Sequence, residues 1–367
     1  MNPIDAAIVA ISSSVGESPD DSTALIAAKC RGLMRGYAQR WAASDYVPIE
    51  VEKVMMSDLT NPATGRKGKL RVAGKLDVLA RRENKTVLID HKTTSDDVED
   101  PASTYWRTQV VESQWSHYML LKWQNGEKVD EALLDVIRKP NINPRQLKTK
   151  AERASIVANR KYLNQNVSDA TLEWLQTNDR ENLELYEARL YADTLEKPGY
   201  FFQRRTIPRL DAELMEYAEA LWDSGQLVLE ARRKDRWPKH PASCMNYGRP
   251  CTYLGVCSGF SRADGPDWKP RAVVHSELTP EQDKDTLTYS SIRAFQTCPR
   301  LFYHRYEQCI ERADEERSEA LFFGSLIHTA LEAYWLALQP EENDNGYSNA
   351  AANSVADDCA DEAIMPF

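Results

Sequence analysis

Two strand-like segments with a very short connection limit the folds open to this chain: Leu70–Ala80 and Thr86–Asp90 are separated by only five residues. The first segment, LRVAGKLDVLA, alternates between apolar and other side chains, which is typical of a strand with one buried face. The second, TVLID, is a short apolar run, which is typical of a buried strand. Because strands this close in sequence pair most simply as an antiparallel hairpin, we expect a fold built around a β-sheet.

Helical patterns surround this hairpin. Apolar residues at helical spacing predict helices at Ser22–Ala43 and Ser103–Trp123, and alternation predicts strands at Tyr46–Met56 and Glu131–Arg138. The same criteria predict, further along the chain, a strand at Gly199–Arg205 and helices at Asp211–Arg233, Thr288–Tyr306 and Ala320–Leu338. This order of elements predicts a mixed α/β core.

The segments between these elements suggest how the chain is divided. Residues 22–258 hold every predicted strand, and a charged, helical stretch at 145–195 interrupts them as an inserted subdomain. A cysteine-rich segment closes this part of the chain at 244–257. The remaining segments are expected to be a flexible N-terminus (1–21), a linker with three prolines (259–286), a helical segment (287–338) and a disordered acidic tail (339–367).

Composition narrows the function classes. Hydrophobic residues make up 42% and charged residues 28% of the 367 residues, as in soluble globular proteins. No apolar run approaches the roughly 20 residues that a membrane helix needs, and the N-terminus lacks the basic start of a signal peptide. We therefore expect a cytoplasmic protein. The net charge of −10 argues against coating nucleic acid through bulk charge, but it leaves room for an enzyme with a local basic groove.

Two aspartates in the hairpin form the central candidate site. Asp77 follows Gly74-Lys75-Leu76, and Asp90 begins the run Asp90-His91-Lys92-Thr93 thirteen residues later. Because neighbouring strands lie about 4.8 Å apart, two such carboxylates can share one hard cation such as Mg²⁺. Lys92 projects from the same strand face as Asp90. A lysine there can hold an attacking water and neutralise charge that builds up on a phosphate.

An aspartate and a lysine two residues apart are by themselves a weak signal, since a surface ion pair explains most such cases. The residues around this pair make a catalytic site the favoured explanation over a surface ion pair. Gln114 and Tyr118 follow on a predicted helix, four residues apart and so on one face. In this order and spacing the chain resembles the RecB-like exonuclease branch of the PD-(D/E)XK nuclease superfamily.

The resemblance implies a fold and an activity. The fold would be a restriction-endonuclease-like core, a mixed central sheet flanked by helices. The activity would be Mg²⁺- or Mn²⁺-dependent hydrolysis of DNA, as an exonuclease in phage recombination, repair or DNA processing. In the family, residues matching Gln114 and Tyr118 steady the DNA strand or the metal site, and Glu52 matches an acidic residue that precedes the first motif. The substrate would be DNA with a free end or a single strand, and a helicase or recombination protein is a possible partner.

Three of the seven cysteines, Cys244, Cys251 and Cys257, fall within fourteen residues. This clustering is typical of metal or cluster ligation, but the paired C-x-x-C spacing of structural zinc is missing. The resemblance implies a 4Fe–4S cluster whose fourth ligand is Cys298, in the segment Cys298-Pro299-Arg300. Zinc is the alternative.

The C-terminal motifs stand in an unusual order. The segment with Cys298, and the run from Gly324 to His328, match the beginning of such a nuclease but follow its remainder. The resemblance makes His328 a metal ligand together with Asp77 and Asp90. The chain is then either circularly permuted, with residues 287–338 completing the same site, or it ends in a truncated second copy.

Two other functions stay open. The chain could be a catalytically weak DNA-binding or scaffold module that kept the nuclease fold, or an incomplete nuclease that needs a second chain. Basic residues near the end of the predicted core are candidate contacts to the DNA backbone, although solvated faces explain most such runs. They are Arg204, Arg205, Arg232, Arg233 and Lys234.

Overall fold

The computed structural model describes residues 1–147, 149–246, 248–275, 278–279, 285–314 and 318–340. Its helices are α1 (Pro3–Val15), α2 (Asp21–Arg40), α3 (Thr104–Val111), α4 (Gln114–Gln124), α5 (Lys150–Asn159), α6 (Asp169–Thr177), α7 (Leu183–Glu196), α8 (Pro198–Phe201), α9 (Asp211–Lys234), α10 (Leu254–Ser258), α11 (Tyr289–Thr297), α12 (Pro299–Phe302) and α13 (Glu319–Leu338). A short 3-10 turn (Pro241–Ser243) and a π-turn (Tyr303–Glu307) complete them.

The strands are β1 (Val47–Val51), β2 (Val54–Thr60), β3 (Lys67–Lys75), β4 (Val78–Arg82), β5 (Lys85–Thr94), β6 (Glu131–Arg138), β7 (Lys161–Tyr162), β8 (Gln165–Asn166), β9 (Phe202–Ile207), β10 (Met245–Asn246), β11 (Arg249–Pro250), β12 (Trp268–Pro270), β13 (Thr286–Thr288) and β14 (Ile310–Arg312). A central sheet has the order β1-β4-β5-β6-β9, with β5 and β6 parallel and the other neighbours antiparallel. The predicted hairpin is β4–β5, and the predicted mixed α/β core is confirmed.

The two faces of the central sheet carry separate cores. Val87 and Ile89 of β5 pack in the core beneath α1, α2 and α13, whereas Leu88 packs in the core beneath α4 and α9. This follows from the period-two alternation of a strand. The alternation also sets Asp90 and Lys92 on the face of Leu88, and His91 on the opposite face.

Two predicted strands are each divided by a bend. Tyr46–Met56 forms β1 and β2, and Leu70–Ala80 forms β3 and β4. The two bends lie side by side, because Val51 pairs with Val78 and Val54 pairs with Lys75. The paired ribbon thus leaves the central sheet and continues as a second sheet of order β13-β3-β2. Alternation continues through the bend in Leu70–Ala80, whereas in Tyr46–Met56 it changes phase at the consecutive charged residues Glu52 and Lys53, which the prediction of a single strand did not take into account.

The N-terminal segment 1–21, expected to be flexible, instead contains α1. Asn2 caps this helix by accepting a hydrogen bond from the Ile4 amide. Ala7 and Ile11, one helical turn apart, are fully buried, and the helix packs against α13. The prediction was wrong because the small and polar residues of 1–21 surround an apolar run, Pro3–Val15, that forms a helix.

Other boundaries also differ from the predictions. The helix predicted at Ser103–Trp123 is divided into α3 and α4, and Gly199–Arg205 begins as α8 before β9. The insertion at 145–195 is helical but includes the small β7–β8 hairpin. The predicted linker 259–286 contains β12, which pairs with β14 and buries Trp268. Residues 276–277, 280–284 and 341–367, and with them nearly all of the predicted acidic tail, lie outside the described residues.

The helix α13 is long and apolar enough to cross a membrane by length and composition alone, contrary to the expectation that no such run exists. Here it packs against α1, α2, β1 and β5, and one of its faces is buried in the core. The same helix carries His328. Its apolar character is therefore accounted for by its position between the N-terminal helices and the central sheet.

Candidate active site

The bend of the paired ribbon places Glu52 opposite Asp77. Glu52 adopts a left-handed backbone conformation (φ 53°), and its amide donates a hydrogen bond of 2.8 Å to the Asp77 carbonyl. On the other side of the bend, the Leu76 amide donates to the Lys53 carbonyl at 3.0 Å. The ladder is therefore kept while the two strands change sheets. As a result, both acidic side chains lie at the edge between the sheets.

Asp90 and Lys92 lie on the neighbouring strand β5 and form an ion pair, with 2.6 Å between Lys92 Nζ and Asp90 Oδ2. The Asp77 carboxylate is tied to the same strand, since its Oδ2 accepts a hydrogen bond of 2.7 Å from the His91 amide. Asp90 is 2% exposed. The hairpin thus brings the three predicted residues Asp77, Asp90 and Lys92 to one place.

Burial and neighbouring charges set the protonation of this group. Burial raises the pKa of Asp90 to about 6; the Lys92 ammonium opposes this shift, and the Asp77 carboxylate adds to it. Burial by itself would lower the pKa of Lys92, but the carboxylates of Asp90 and Asp77 outweigh it and raise that pKa. Lys92 is therefore held as a cation against the buried acid.

His328 reaches the same place from α13. Its Nδ1 lies 3.8 Å from Asp77 Oδ2. One turn earlier in the helix, Gly324 lies against β5, where an added Cβ would be 3.3 Å from the hydroxyl of Thr93. Burial lowers the pKa of His328, although the Asp77 carboxylate opposes this shift. The imidazole is therefore neutral near pH 7, the form in which histidine binds a metal.

A candidate metal site follows from these positions. Among the described residues, Glu52, Asp77 and His328 are the group whose ligand atoms all lie within 4.8 Å of one another. Carboxylate oxygens and an imidazole nitrogen suit a divalent cation. The predicted ligand set was Asp77, Asp90 and His328, whereas here Glu52 completes the group and Asp90 pairs with Lys92. Burial raises the pKa of Glu52, and Lys75, which contacts its carboxylate, opposes this shift.

Glu50 lies two residues before Glu52, so in one continuous strand the two side chains would share a face. The bend separates them instead. Glu50 forms an ion pair of 2.7 Å with Lys122 and also contacts Lys53, both away from the acidic group. Only Glu52 joins Asp77.

Gln114 and Tyr118 share one face of α4, as their spacing predicts. The Gln114 side-chain amide donates a hydrogen bond of 2.9 Å to the Tyr118 hydroxyl. The Tyr118 ring packs on Gly74 of β3, where a Cβ would lie 2.7 Å from the ring. A glycine is therefore required at that position of the motif Gly74-Lys75-Leu76-Asp77.

The arrangement of Asp77, Asp90 and Lys92 beside the bend agrees with a comparison of the chain with models of protein families. A family model described as PD-(D/E)XK nuclease superfamily matches residues 5–258 and 286–365. The chain belongs to the PD-(D/E)XK nuclease superfamily. Its nucleases use divalent metals, which the acidic group at the bend of this nuclease can hold. Comparisons with curated proteins and with solved structures find no match.

The four predicted cluster ligands of this nuclease line one small cavity. Cys244, Cys251 and Cys257 come from the segment after α9, and Cys298 lies between α11 and α12. The Cys298 sulfur accepts a hydrogen bond from the His240 amide at 3.4 Å. Burial raises the pKa of Cys251, and the neighbouring Cys244 and Cys298 add to the shift. The four cysteines therefore lie around one cavity, where Cys257 Sγ also lies 3.5 Å from His304 Nε2.

A buried polar group behind the hairpin was not predicted. Asp135 of β6 is fully buried; its Oδ2 accepts hydrogen bonds from the Tyr37 hydroxyl at 2.6 Å and from Arg204 Nε at 3.1 Å. His91 Nδ1 lies 3.4 Å from the same oxygen. The only signal in the sequence was an aspartate in the otherwise apolar strand EALLDVIR. The group supports the back of β5, the strand that carries Asp90 and Lys92.

This group corrects one candidate DNA contact. The side chain of Arg204 is 7% exposed and is occupied by Asp135 and Tyr37, so it is a structural cation. Arg232 is likewise paired, with Glu307 at 2.8 Å and Asp285 at 3.2 Å. Arg205 stacks on Trp106, with its guanidinium 4.0 Å from the ring centroid.

Glu112 was also missed. It lies between α3 and α4, and its negative charge helps to raise the pKa of Lys92. Its carboxylate contacts the Tyr289 hydroxyl and lies 2.8 Å from Arg293 Nη1. The C-terminal segment therefore reaches the surroundings of Lys92 at a second point besides His328. No motif marks Glu112 in the sequence.

Proposed function

We propose that this nuclease hydrolyses phosphodiester bonds of DNA with Mg²⁺ or Mn²⁺, acting as an exonuclease on a free end in phage recombination, repair or DNA processing. One observation carries the proposal: the acidic group of Glu52, Asp77 and His328 lies beside the buried pair Asp90–Lys92. Oxygen-rich ligands next to a retained lysine cation suit a phosphate substrate. The exonuclease mode and the biological setting, including a helicase or recombination partner, rest on the sequence resemblance.

The residues have separate roles in this proposal. Asp77, Asp90 and His328 would hold the metal, with Glu52 as a further ligand from the bend. When bound, a divalent metal polarises the phosphate and lowers the pKa of a water. Lys92 orients the attacking water and stabilises the charge that grows on the phosphate oxygens. Gln114 and Tyr118, joined by their hydrogen bond, would steady the DNA strand.

We also propose that the chain is a circular permutation working in cis. Two contacts of the C-terminal segment support this. β13 pairs in parallel with β3, so that Leu287 lies opposite Val72, and α13 presents His328 to Asp77. A truncated second copy would not be expected to make both of these contacts, with β3 and with Asp77, in its own chain. The site would then be complete without a second chain.

The cysteine cavity is proposed to hold a 4Fe–4S cluster. Cys244, Cys251, Cys257 and Cys298 line one cavity, which supports a single site that all four ligate. The choice of a cluster over one zinc ion rests on the sequence resemblance.

Metal analysis tests the cluster. Protein purified without oxygen should contain about four iron and four sulfide per chain, and Cys298→Ala should lose most of both. Cys309→Ala, at a cysteine that does not line the cavity, is the control. Stoichiometric zinc without iron would show that the site holds the other metal.

Cleavage of linear DNA tests the catalytic proposal. Asp90→Asn and Lys92→Gln should each lower the metal-dependent rate by roughly 100-fold or more, since each removes a group that acts in the transition state. The ion pair Asp58–Lys67, at 2.7 Å on the surface of β2 and β3, gives matched controls. Asp58→Asn and Lys67→Gln should keep the wild-type rate.

The outcome separates the alternatives. Full activity in the Asp90 or Lys92 variant would refute the site. DNA binding by the wild type without any metal-dependent cleavage would favour the scaffold function. Degradation of linear DNA with closed circular DNA left intact is expected of an exonuclease.

A further inference from the structure

A polar cavity of about 720 Å³ lies at the end of β5 and β6, apart from the acidic group. Its walls come from α2, the residues after β5 and β6, and the start of α13. Most of the lining surface is polar, including Ser22, Ser95, Asn141 and Asn143. A cavity of this size with hydroxyl and amide donors can take a polar ligand.

The charges around the cavity are mainly positive. Lys29, Arg138 and Lys139 line it, against one carboxylate, that of Glu319. Glu319 pairs with Lys139 at 2.9 Å and so neutralises one of the cations. Arg138 Nη1 lies 3.6 Å from Asp97, whose side chain is 56% exposed, and solvent weakens such a pair. The cavity therefore keeps a surplus of positive charge.

Lys29 gives the strongest indication of a ligand. It is 6% exposed, and in the part of the chain that the structure describes its ammonium makes no ion pair and no hydrogen bond. Burial lowers the pKa of Lys29, with Glu319 opposing the shift and Lys139 adding to it. The side chain is buried while its ammonium opens to the cavity, so an anion bound there would supply the counter-charge that the ammonium lacks.

The cavity lies close to the catalytic strand. Thr94, the last residue of β5, pairs with Arg138 of β6, and Ser95 follows it in the cavity wall. Glu319 in the wall is the first residue of α13, and His328 follows nine residues later in the same helix, about 14 Å along its axis. A DNA strand advances about 3.4 Å per nucleotide. The cavity would therefore meet the strand roughly four nucleotides from the metal site.

We propose that this cavity binds a backbone phosphate of the DNA strand being cleaved, with Lys29 as its buried cation and Lys139 at its rim. The proposal rests on the proposed DNA nuclease function. It adds a second contact point, which holds the strand a few nucleotides away from the bond on which Asp90 and Lys92 act.

Binding of a labelled single-stranded oligonucleotide in EDTA tests this without cleavage. Lys29→Met keeps the length of the side chain and removes its charge. It should weaken binding about tenfold and lower the slope of log Kd against log salt by roughly 0.7 to 1. Lys69→Met, which removes an exposed lysine of β3, should do neither. Should Lys29→Met fail to fold, Lys139→Met provides the same measurement at the rim.

Further measurements distinguish a backbone phosphate from a terminal phosphate of the DNA and from free phosphate. Oligonucleotides with a 5′-phosphate and with a 5′-hydroxyl should lose the same affinity in Lys29→Met, since a backbone phosphate is common to both. A loss confined to the phosphorylated end would overturn the proposal in favour of an end-binding site. A rise in Tm with inorganic phosphate that needs Lys29, without a change in the DNA salt slope, would overturn it in favour of free phosphate.

The phosphate site and the proposed nuclease activity can be rejected independently of each other. Metal-dependent cleavage by the wild type with an unchanged salt slope in Lys29→Met would reject the cavity and keep the nuclease. A reduced slope in Lys29→Met with a wild type that never cleaves DNA would keep the phosphate site and reject the proposed catalysis.

Discussion

The buried histidine of α4 should make the stability of this nuclease depend on pH. His117 is fully buried; its Nδ1 lies 2.9 Å from the Tyr217 hydroxyl and its Nε2 lies 3.0 Å from the Ala73 carbonyl. Burial lowers the pKa of His117 from 6.5 to about 4, although the Ala73 hydrogen bond opposes the shift. The folded protein thus keeps His117 neutral at a pH where the unfolded chain is protonated.

The sign and size of the effect follow from proton linkage. Between pH 6.5 and about 4, the unfolded state binds a proton that the folded state does not, so the free energy of unfolding falls as the pH falls. At about pH 5, roughly 1.5 units below the unfolded pKa, the loss is about 2 kcal/mol, since each unit is worth about 1.4 kcal/mol. Near pH 7.5 the loss is close to zero.

Urea unfolding followed by tryptophan fluorescence measures this loss. His117→Gln keeps a donor and an acceptor but does not titrate. Between pH 7.5 and 5, its free energy of unfolding should therefore fall by about 2 kcal/mol less than that of the wild type. The carboxylates titrate equally in both proteins and cancel in the comparison.

Tyr217→Phe is the control. It removes the hydroxyl that faces His117 Nδ1 but keeps the titrating imidazole, so its pH dependence should follow that of the wild type. An equal pH dependence in the wild type and His117→Gln would refute the reasoning, because it would mean that His117 takes up its proton equally in both states.

Three further results are expected. Gly74→Ala should lower the free energy of unfolding by about 1–3 kcal/mol in urea, since its Cβ would lie 2.7 Å from the Tyr118 ring; a neutral result would mean that the ring moves freely. Arg204→Met should cost about 3–5 kcal/mol, seen as a lower Tm, because it leaves Asp135 buried without its guanidinium; an unchanged Tm would contradict this. Mn²⁺ at about 100 times its Kd should stabilise the wild type by about 2.7 kcal/mol in calorimetry, and Asp77→Asn should lose this gain; equal gains would place the metal elsewhere.

The local chemistry of the hairpin could be predicted from the sequence. Alternation and a short connection predict β4 and β5, and the period of two puts Lys92 beside Asp90, where the structure has their ion pair. These relations depend only on residues that are near in sequence, so they do not depend on how the rest of the chain folds. The superfamily and the mixed α/β core followed from the same segments.

The bend was decided by the tertiary structure. Period-two alternation continues through Asp77, and the change of phase at Glu52-Lys53 marks an irregularity without showing that the paired ribbon changes sheets there. The carboxylates of Glu52 and Asp77 come together because β1 pairs with β4, β2 pairs with β3, and Glu52 between them adopts a left-handed conformation. The sequence predicted Glu52 as a catalytic residue, and its role as a metal ligand is a proposal that rests on its position beside Asp77 and His328.

Contacts between residues far apart in sequence were decided by the tertiary structure. His328 lies near Asp77, Cys298 lines one cavity with the other three cysteines, and Lys29 lines another with Arg138, because elements far apart in sequence pack together. A motif can suggest that two such residues cooperate, as it did for His328 and Cys298, but it carries no information about the distance between them. That distance is set by the packing of whole elements, which depends on buried surfaces contributed from every part of the chain.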